Sequence, residues 1–181
     1  KPCAKTNALK GNWMSFDSAA KASSAGIQAK RLPELLSPCG SPEAVKAAVL
    51  GGADAVYLAA GADFNARHGA RNFTESEFLG ALGYCHDAGV KVFAALNTQL
   101  YDRELSDALR KAAFYYEAGA AALIVADLGL ASLIREAMPD FALHASTQAS
   151  GHSSDAARAF AAFGFSRMVC ARELSADNIR R

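Results

Sequence analysis

A repeated pattern of helix, glycine and apolar strand most constrains how this chain can fold. Four glycines each close a helical stretch, and each is followed four residues later by an apolar residue of a short strand pattern. The pairs are Gly52 with Val56, Gly89 with Phe93, Gly119 with Leu123, and Gly164 with Met168. Glycine suits the left-handed helix stop, and short helix-to-strand connections are typical of α/β units. The pattern therefore predicts an α/β fold with parallel strands.

Six βα units follow one another along the chain. Strands are predicted at residues 33–37, 54–60, 91–97, 121–126, 141–145 and 166–171. Six successive units without a reversal favour a TIM-like parallel barrel over an open sheet, but eight units are needed to close a barrel. We therefore expect an incomplete, unclosed barrel, whose first and sixth strands are open edges that favour self-association.

Helix boundaries are marked by capping residues. Ser41 before Pro42 predicts the start of the first helix, and Thr74 with Glu77 predicts a capping box at the second. Ser175 is expected to cap the last helix. Two helices, beginning near residues 102 and 153, are each expected to bury one face. The first face comprises Leu105, Leu109, Ala112, Ala113 and Tyr116, and the second comprises Ala156, Phe160 and Phe163.

Composition and charge divide the chain into two parts. Residues 1–32 are rich in Ala, Ser and Lys and show no sustained amphipathic period, so we expect a disordered basic tail before a barrel domain at 33–181. The chain has 19 basic and 18 acidic residues, and the tail holds Asp17 as its one acidic residue. The barrel domain is therefore mildly acidic, which gives no overall electrostatic attraction to nucleic acid.

The cysteines and the hydropathy pattern indicate in which part of the cell the protein is found. Cys3, Cys39, Cys85 and Cys170 are far apart, with no C-x-x-C pair, so they do not form a zinc or iron–sulfur pattern by themselves. Few cysteines in a large domain favour a reducing compartment, and we expect a cytoplasmic location. No apolar run approaches the roughly 18 residues of a membrane span.

Polar residues follow every predicted strand. In parallel α/β folds these carboxyl ends meet at one edge, where ligands bind. We expect His144, Asp127 and Glu173 to act in acid–base or hydrogen-bonding catalysis. We expect the residues that cap helices to lie elsewhere. We predict no metal site. The residues expected to bind substrate are Asn65, Arg67, Asn97, Gln148 and Arg172; Ser37, Cys39, Thr98 and Ser146 are also at strand ends. Each one alone could equally be a helix cap or turn residue.

Other chemistries fit the sequence less well. The lysines of the barrel domain, Lys46, Lys91 and Lys111, fall on helices or at a strand's beginning, so Schiff-base chemistry is not favoured. No glycine-rich phosphate loop follows any strand. Cys39 could act as a nucleophile only with a neighbouring base such as His144, and a buried thiol is the simpler interpretation.

Several short motifs resemble those of a known family. PELLSP at 33–38, GADAVYL at 52–58, FNAR at 64–67, LNT at 96–98, HASTQ at 144–148 and ARELS at 171–175 stand in the order seen in the collagenase-like peptidase family of bacteria. The resemblance covers about residues 33–181. It implies a TIM-like barrel and a function as a peptidase, which is a hydrolase. Some members act instead in hydroxylation of tRNA or ribosomal RNA, or in anaerobic ubiquinone hydroxylation.

The resemblance also implies which part of the barrel this chain contains and whether it holds a cofactor. Hydroxylases of the family hold an iron–sulfur cluster on cysteines beyond the sixth strand, and the family's glycine- and cysteine-containing signature follows the helix that begins near Ser175. We therefore expect the N-terminal part of the barrel, with no cofactor of its own. Cys39 stands where the family usually has alanine. The alternatives are a peptidase acting on a peptide, a parent protein that hydroxylates RNA, and a non-catalytic binding or assembly fragment.

Overall fold

The computed structural model of the protein describes residues 32–61, 63–66 and 72–180, and it contains one sheet of six parallel strands. The strands are β1 (Leu36–Pro38), β2 (Ala55–Leu58), β3 (Lys91–Leu96), β4 (Ala122–Val125), β5 (Leu143–Ala145) and β6 (Phe165–Met168). The helices are α1 (Pro42–Leu50), α2 (Glu75–Asp87), α3 (Leu105–Ala118), α4 (Leu128–Ala137), α5 (Ser154–Ala162) and α6 (Ala176–Arg180). The strands lie in sequence order, and each consecutive pair is parallel. The predicted TIM-like, unclosed α/β architecture is confirmed.

The predicted tail falls almost wholly outside these residues, since Leu32 is its one described member. None of the helices in the described ranges has the length and apolarity of a transmembrane span.

Each central strand buries side chains on both faces. Alternate residues such as Val56, Leu123 and Val125 belong to a large apolar layer shared with the helices, which we call the outer cluster. The intervening residues Ala55, Phe93, Ala122 and Ile124 form a second apolar group on the concave face, which we call the inner cluster. Because successive residues of a strand point to opposite faces, this division follows directly from the continuous apolar runs.

Ionic contacts between residues from distant strands cross the concave face of the sheet and show that it is curved. Glu34, just before β1, lies 2.6 Å from the guanidinium of Arg167 in β6 and 2.8 Å from the ammonium of Lys91 at the start of β3. Hydrogen bonding to Lys91, together with the Arg167 charge, holds the pKa of Glu34 below its ordinary value. Residues beside the two edge strands can meet in this way only if the sheet bends towards a barrel.

The predicted caps are present. Ser41 accepts a hydrogen bond from the Ala44 amide through Oγ, and Pro42 opens α1. Thr74 and Glu77 form the reciprocal capping box of α2. The amide of Asn178 donates to Oγ of Ser175 at the start of α6. Gly119 ends α3 with φ of 92°, a left-handed conformation that glycine adopts without strain.

The predicted buried face of α3 is correct except at Tyr116, since Ala112 is buried and Leu105, Leu109 and Ala113 pack partly buried against the outer cluster. The helix buries Ala108, Ala112 and Tyr115, whereas Tyr116 is exposed. The hydroxyl of Tyr115 accepts a hydrogen bond from the Ala60 amide at 2.9 Å and donates to the Ala60 carbonyl at 3.2 Å. These two bonds tie α3 to the chain after β2, and they fix the rotation of the helix.

A second helix face is predicted correctly only in part. In α5, Phe160 is buried and packs against Phe165 of β6, with ring centroids 5.5 Å apart. Ala156 is half-buried. Phe163, however, which follows the last residue of α5, is 49% exposed and does not join the buried face.

Candidate functional site

The carboxyl ends of the strands form one edge of the sheet, which we call the mouth. At its centre, Asn97 after β3 donates from Nδ2 to Oγ of Ser146 after β5, at 3.3 Å. Oδ1 of Asn97 accepts from the Ala66 amide at 3.1 Å. An amide has two donor hydrogens and two acceptor lone pairs, so Asn97 keeps one of each beyond these bonds. Asn97 therefore links the ends of β3 and β5 to the loop that follows β2, while keeping hydrogen-bonding capacity.

Ser146 is a second organising residue of the mouth. It is 2% exposed, and its amide donates to the Val125 carbonyl at the end of β4. Its Oγ also accepts from the Gln148 amide at 3.2 Å and caps the short 3₁₀ helix Thr147–Ala149. This capping leaves the Gln148 side chain exposed at the rim.

A small recess lies on the β1 and β2 side of the mouth. Asn65 is buried there, and its Nδ2 donates to Oδ1 of Asn72 at 2.8 Å. The recess has a volume of about 40 Å³, which holds a few water molecules but no substrate. It is lined by Pro38, Cys39, Gly40, Tyr57, Leu58, Ala59, Asn65, Asn72, Phe73 and Ala95.

Asp127 is a structural cap in this structure. Its Oδ1 accepts from the Leu130 amide at 2.8 Å, which starts α4, and its Oδ2 accepts from the Leu100 amide at 3.3 Å. The expectation that helix caps lie apart from the candidate residues is therefore wrong for Asp127. The reason is geometric, since the residue that ends a strand at the mouth is also the N-cap of the next helix.

His144 points into the concave face, below the mouth. Its imidazole packs edge-on against Phe93, with ring centroids 4.7 Å apart, and it is 6% exposed. Burial, and then the positive charge of Arg167, lower the pKa of His144 from its ordinary 6.5 to about 4. At neutral pH the ring is uncharged, so it can donate or accept a hydrogen bond but is a poor proton donor.

Glu173 and Arg172 lie in the exposed turn after β6. Oε2 of Glu173 is 3.5 Å from Nε2 of His152, whose Nδ1 is 2.8 Å from the Ser150 carbonyl. His152 did not emerge from the sequence because it follows a 3₁₀ helix and not a strand. Its position a few residues after HASTQ, at the same edge of the sheet, is the signal that could have indicated it.

The predicted catalytic residues thus do not form one cluster. The structure gives His144, Asp127 and Glu173 separate partners: an inner aromatic ring, two backbone amides and a surface histidine. Asn97 and Asn65 lie at the mouth with their polar neighbours. Arg67 lies outside the described residues.

The cysteines do not suit a nucleophilic role or a cluster. Cys39 and Cys85 are buried in the outer cluster, where burial raises the pKa of both thiols, that of Cys85 to about 11. A nucleophile or a cluster ligand needs the thiolate, which this environment disfavours. His144 packs instead on Phe93 of the inner cluster, away from that layer.

The described cysteines therefore do not fit an iron–sulfur cluster, for which several thiolates must converge. Within the same ranges, no group of three His, Cys, Asp or Glu residues is arranged to hold a metal ion.

Known proteins resemble this chain in sequence. The 23S rRNA 5-hydroxycytidine synthase of Escherichia coli (strain K12) is 41% identical over 147 residues, which are 81% of this chain and 22% of that protein. The tRNA hydroxylation protein P of the same organism is 31% identical, over 81% of this chain and 32% of its own length. The collagenase of Porphyromonas gingivalis (strain ATCC BAA-308 / W83) is 32% identical, over 81% and 35%. The chain thus spans between 22% and 35% of these relatives.

Solved structures show the same fold at low sequence identity. A U32 peptidase superposes with a TM-score of 0.63 at 17% identity, over 88% of this chain and 64% of the other. The HMG-CoA lyase of Bacillus subtilis superposes with a TM-score of 0.55 at 18% identity, over 79% and 55%. The model of peptidase family U32 matches residues 40–181, in agreement with the resemblance seen in the short motifs. The chain therefore belongs to peptidase family U32.

Proposed function

We propose that this chain is the N-terminal barrel segment of an RNA-hydroxylating protein, and that its mouth holds the target nucleobase for hydroxylation. Asn97 is the observation that carries the proposal. Its amide is oriented by Ser146 and by the Ala66 amide, and it keeps one donor and one acceptor for a ligand. A side-chain amide with this pairing matches the hydrogen-bonding edge of a nucleobase.

Sequence similarity supports the same function. The E. coli relative at 41% identity is named for the synthesis of 5-hydroxycytidine in 23S rRNA, and another is named for tRNA hydroxylation. The collagenase is similar at 32%. In this proposal the chain positions the base, and a group held outside the described residues supplies the oxidation.

Peptidase activity is the second candidate, favoured by the family name and the collagenase relative. Peptide hydrolysis without a metal requires an activated nucleophile beside a base. The raised pKa of Cys39 is the opposite of activation, and the carboxylate of Asp127 accepts hydrogen bonds from two backbone amides. The described side chains therefore suit the binding of a nucleobase better than the acyl transfer of peptide hydrolysis.

A chimaera tests the proposal. Residues 33–180 replace the matching segment of the E. coli 23S rRNA hydroxycytidine synthase, in a strain lacking that enzyme. Mass spectrometry of digested ribosomal RNA should then detect 5-hydroxycytidine. Asn97→Ala in the chimaera should lower the yield about tenfold, because it removes a hydrogen bond to the base. Asn178→Ala, on the exposed α6, is the matched control and should change nothing.

The outcomes of these experiments distinguish RNA hydroxylation from peptidase activity. A chimaera that accumulates in folded form but leaves the RNA unmodified would contradict the proposal. Purified chain should leave denatured collagen intact. Cleavage of the collagen that Cys39→Ser abolishes would establish the peptidase instead.

A further inference from the structure

Tyr101 is an exposed aromatic residue at the rim of the mouth. It follows the β3 end by a few residues, and 68% of its surface is exposed. The guanidinium of Arg103 lies over its ring, with the guanidinium carbon 4.9 Å from the ring centroid. Because Arg103 covers one face and the residue still has this exposure, the other face of the ring is open to solvent.

Three hydrogen bonds hold the loop that carries this ring. Nε2 of Gln99 donates to the Ala126 carbonyl at 3.5 Å, and the Leu100 amide donates to Asp127 at 3.3 Å. The Tyr101 amide donates to Oε2 of Glu104 at 2.8 Å. Leu100 also packs against the outer cluster. These contacts restrain the loop, and restraint of an exposed aromatic ring lowers the entropy cost of binding.

The surrounding charges favour a particular ligand. Asp102 and Glu104 flank Arg103 in the sequence, and Oε2 of Glu104 accepts from the Tyr101 amide, so the segment that carries the ring has two acidic charges and one basic charge. This setting repels a phosphate group but accepts a flat, uncharged one. A nucleobase has such a face, and it stacks well on tyrosine. A cation on the far face of the ring adds to the attraction through its cation–π contact.

We propose that Tyr101, backed by Arg103, is a stacking platform for an unpaired base of the RNA substrate, next to the base held by Asn97. This assignment rests on the proposed function and adds to it a substrate class, single-stranded RNA. In a mildly acidic domain, base stacking adds binding energy that does not depend on basic side chains.

The test is binding of a fluorescein-labelled oligocytidylate of about ten nucleotides, a length within the usual site size of single-strand binders. Fluorescence anisotropy gives Kd for the 181-residue chain and its variants. Tyr101→Ala should raise Kd about 5- to 150-fold, the range measured for loss of one stacked base. Tyr101→Phe should stay within about twofold, because it keeps the ring. Arg103→Ala should raise Kd about two- to fivefold.

Two readouts separate stacking from other roles. The slope of log Kd against log salt should be the same for wild type and Tyr101→Ala, because no phosphate contact is lost. Tyr84→Ala is the matched control, an exposed tyrosine on α2, and should bind as wild type. Thermal unfolding should not change in the Tyr101 and Arg103 variants, since both side chains are exposed.

The outcomes also distinguish this platform from the proposed function. Wild-type affinity in Tyr101→Ala, or a reduced salt slope, would overturn the stacking platform even if the chimaera hydroxylates RNA. Binding of a denatured-collagen peptide, but not of RNA, through Tyr101 would overturn it too. Tyr101-dependent RNA binding with a chimaera that makes no hydroxycytidine would support the platform and contradict hydroxylation.

Discussion

His144 combines a polar ring with an apolar setting. The ring lies against Phe93 on the concave face, and Arg167 is its paired neighbour in β6. Burial and the Arg167 charge both disfavour protonation, which places the pKa at about 4, against an ordinary 6.5. The unfolded chain therefore binds a proton at this residue at a pH where the folded chain does not. Protonation favours unfolding.

The pH dependence of stability should show this effect. The stabilising contribution is fully present above pH 6.5 and is lost as the pH falls towards 4, and it amounts to about 3 kcal/mol. We expect His144→Leu to flatten the fall in the free energy of unfolding across that window, as measured by urea denaturation. His86→Gln, at an exposed position on α2, should keep the wild-type profile. An unchanged acid limb in His144→Leu would show that other groups cause it.

At the scale of single elements, adjacent tyrosines in α3 differ sharply. Tyr115 is 1% exposed, bonds both backbone groups of Ala60, and has a pKa raised by burial to about 12. Tyr116 is exposed, and its hydroxyl bonds the carboxylate of Asp140 on the surface. The hydroxyl of Tyr115 is thus bonded inside the fold, whereas the hydroxyl of Tyr116 bonds at the surface and its ring packs against Phe141.

Removal of each hydroxyl should separate these roles. Tyr115→Phe leaves a buried N–H and C=O of Ala60 without this partner, and it should lower the free energy of unfolding by about 1–3 kcal/mol. Tyr116→Phe removes an exposed bond and should stay within about 0.5 kcal/mol of wild type. Urea denaturation followed by circular dichroism measures both. Equal losses in the two variants would mean that the Ala60 bonds contribute no special stability.

The same helix shows where prediction from sequence stops. Periodicity places α3, its end at Gly119 and most of its buried face, but it does not distinguish Tyr115 from Tyr116, so the pattern leaves the exact helix rotation open. The Tyr115 bonds to Ala60 fix it, and these join residues 55 positions apart in sequence. Capping boxes and strand order depend on local signals or on simple topology, and these predictions are confirmed.

In the candidate site, too, local sequence predicts some features, whereas contacts between residues distant in sequence decide the others. The sequence indicates that polar residues gather at the mouth, but it cannot assign their partners. Asp127 caps α4, and Asn97 meets Ser146, because of how neighbouring strand ends are placed in space. The pairing of His152 with Glu173 depends on two loops and has no local sequence signal.

At the scale of the whole molecule, charged groups from distant strands meet across the concave face of the sheet. Glu34 contacts Lys91 and Arg167, and Arg167 also lies over the ring of Phe93, with 5.4 Å between its guanidinium carbon and the ring centroid. These contacts cross the concave face from the β1 side to β6. They are consistent with a barrel-like curve of the sheet, although within the described residues β1 and β6 each pair with one neighbour.

Strands with one open side are expected to pair with another chain. We propose that the purified chain self-associates through the β1 and β6 edges, and sedimentation velocity should show a weight-average mass that rises with concentration. Leu35→Lys places a charge beside the β1 edge, at a residue that is 55% exposed, and should reduce this association. Leu79→Lys, on α2 and 46% exposed, adds the same charge away from the edge and should associate as wild type. Equal effects of the two substitutions would place the contact on another surface, and a concentration-independent monomer would contradict self-association altogether.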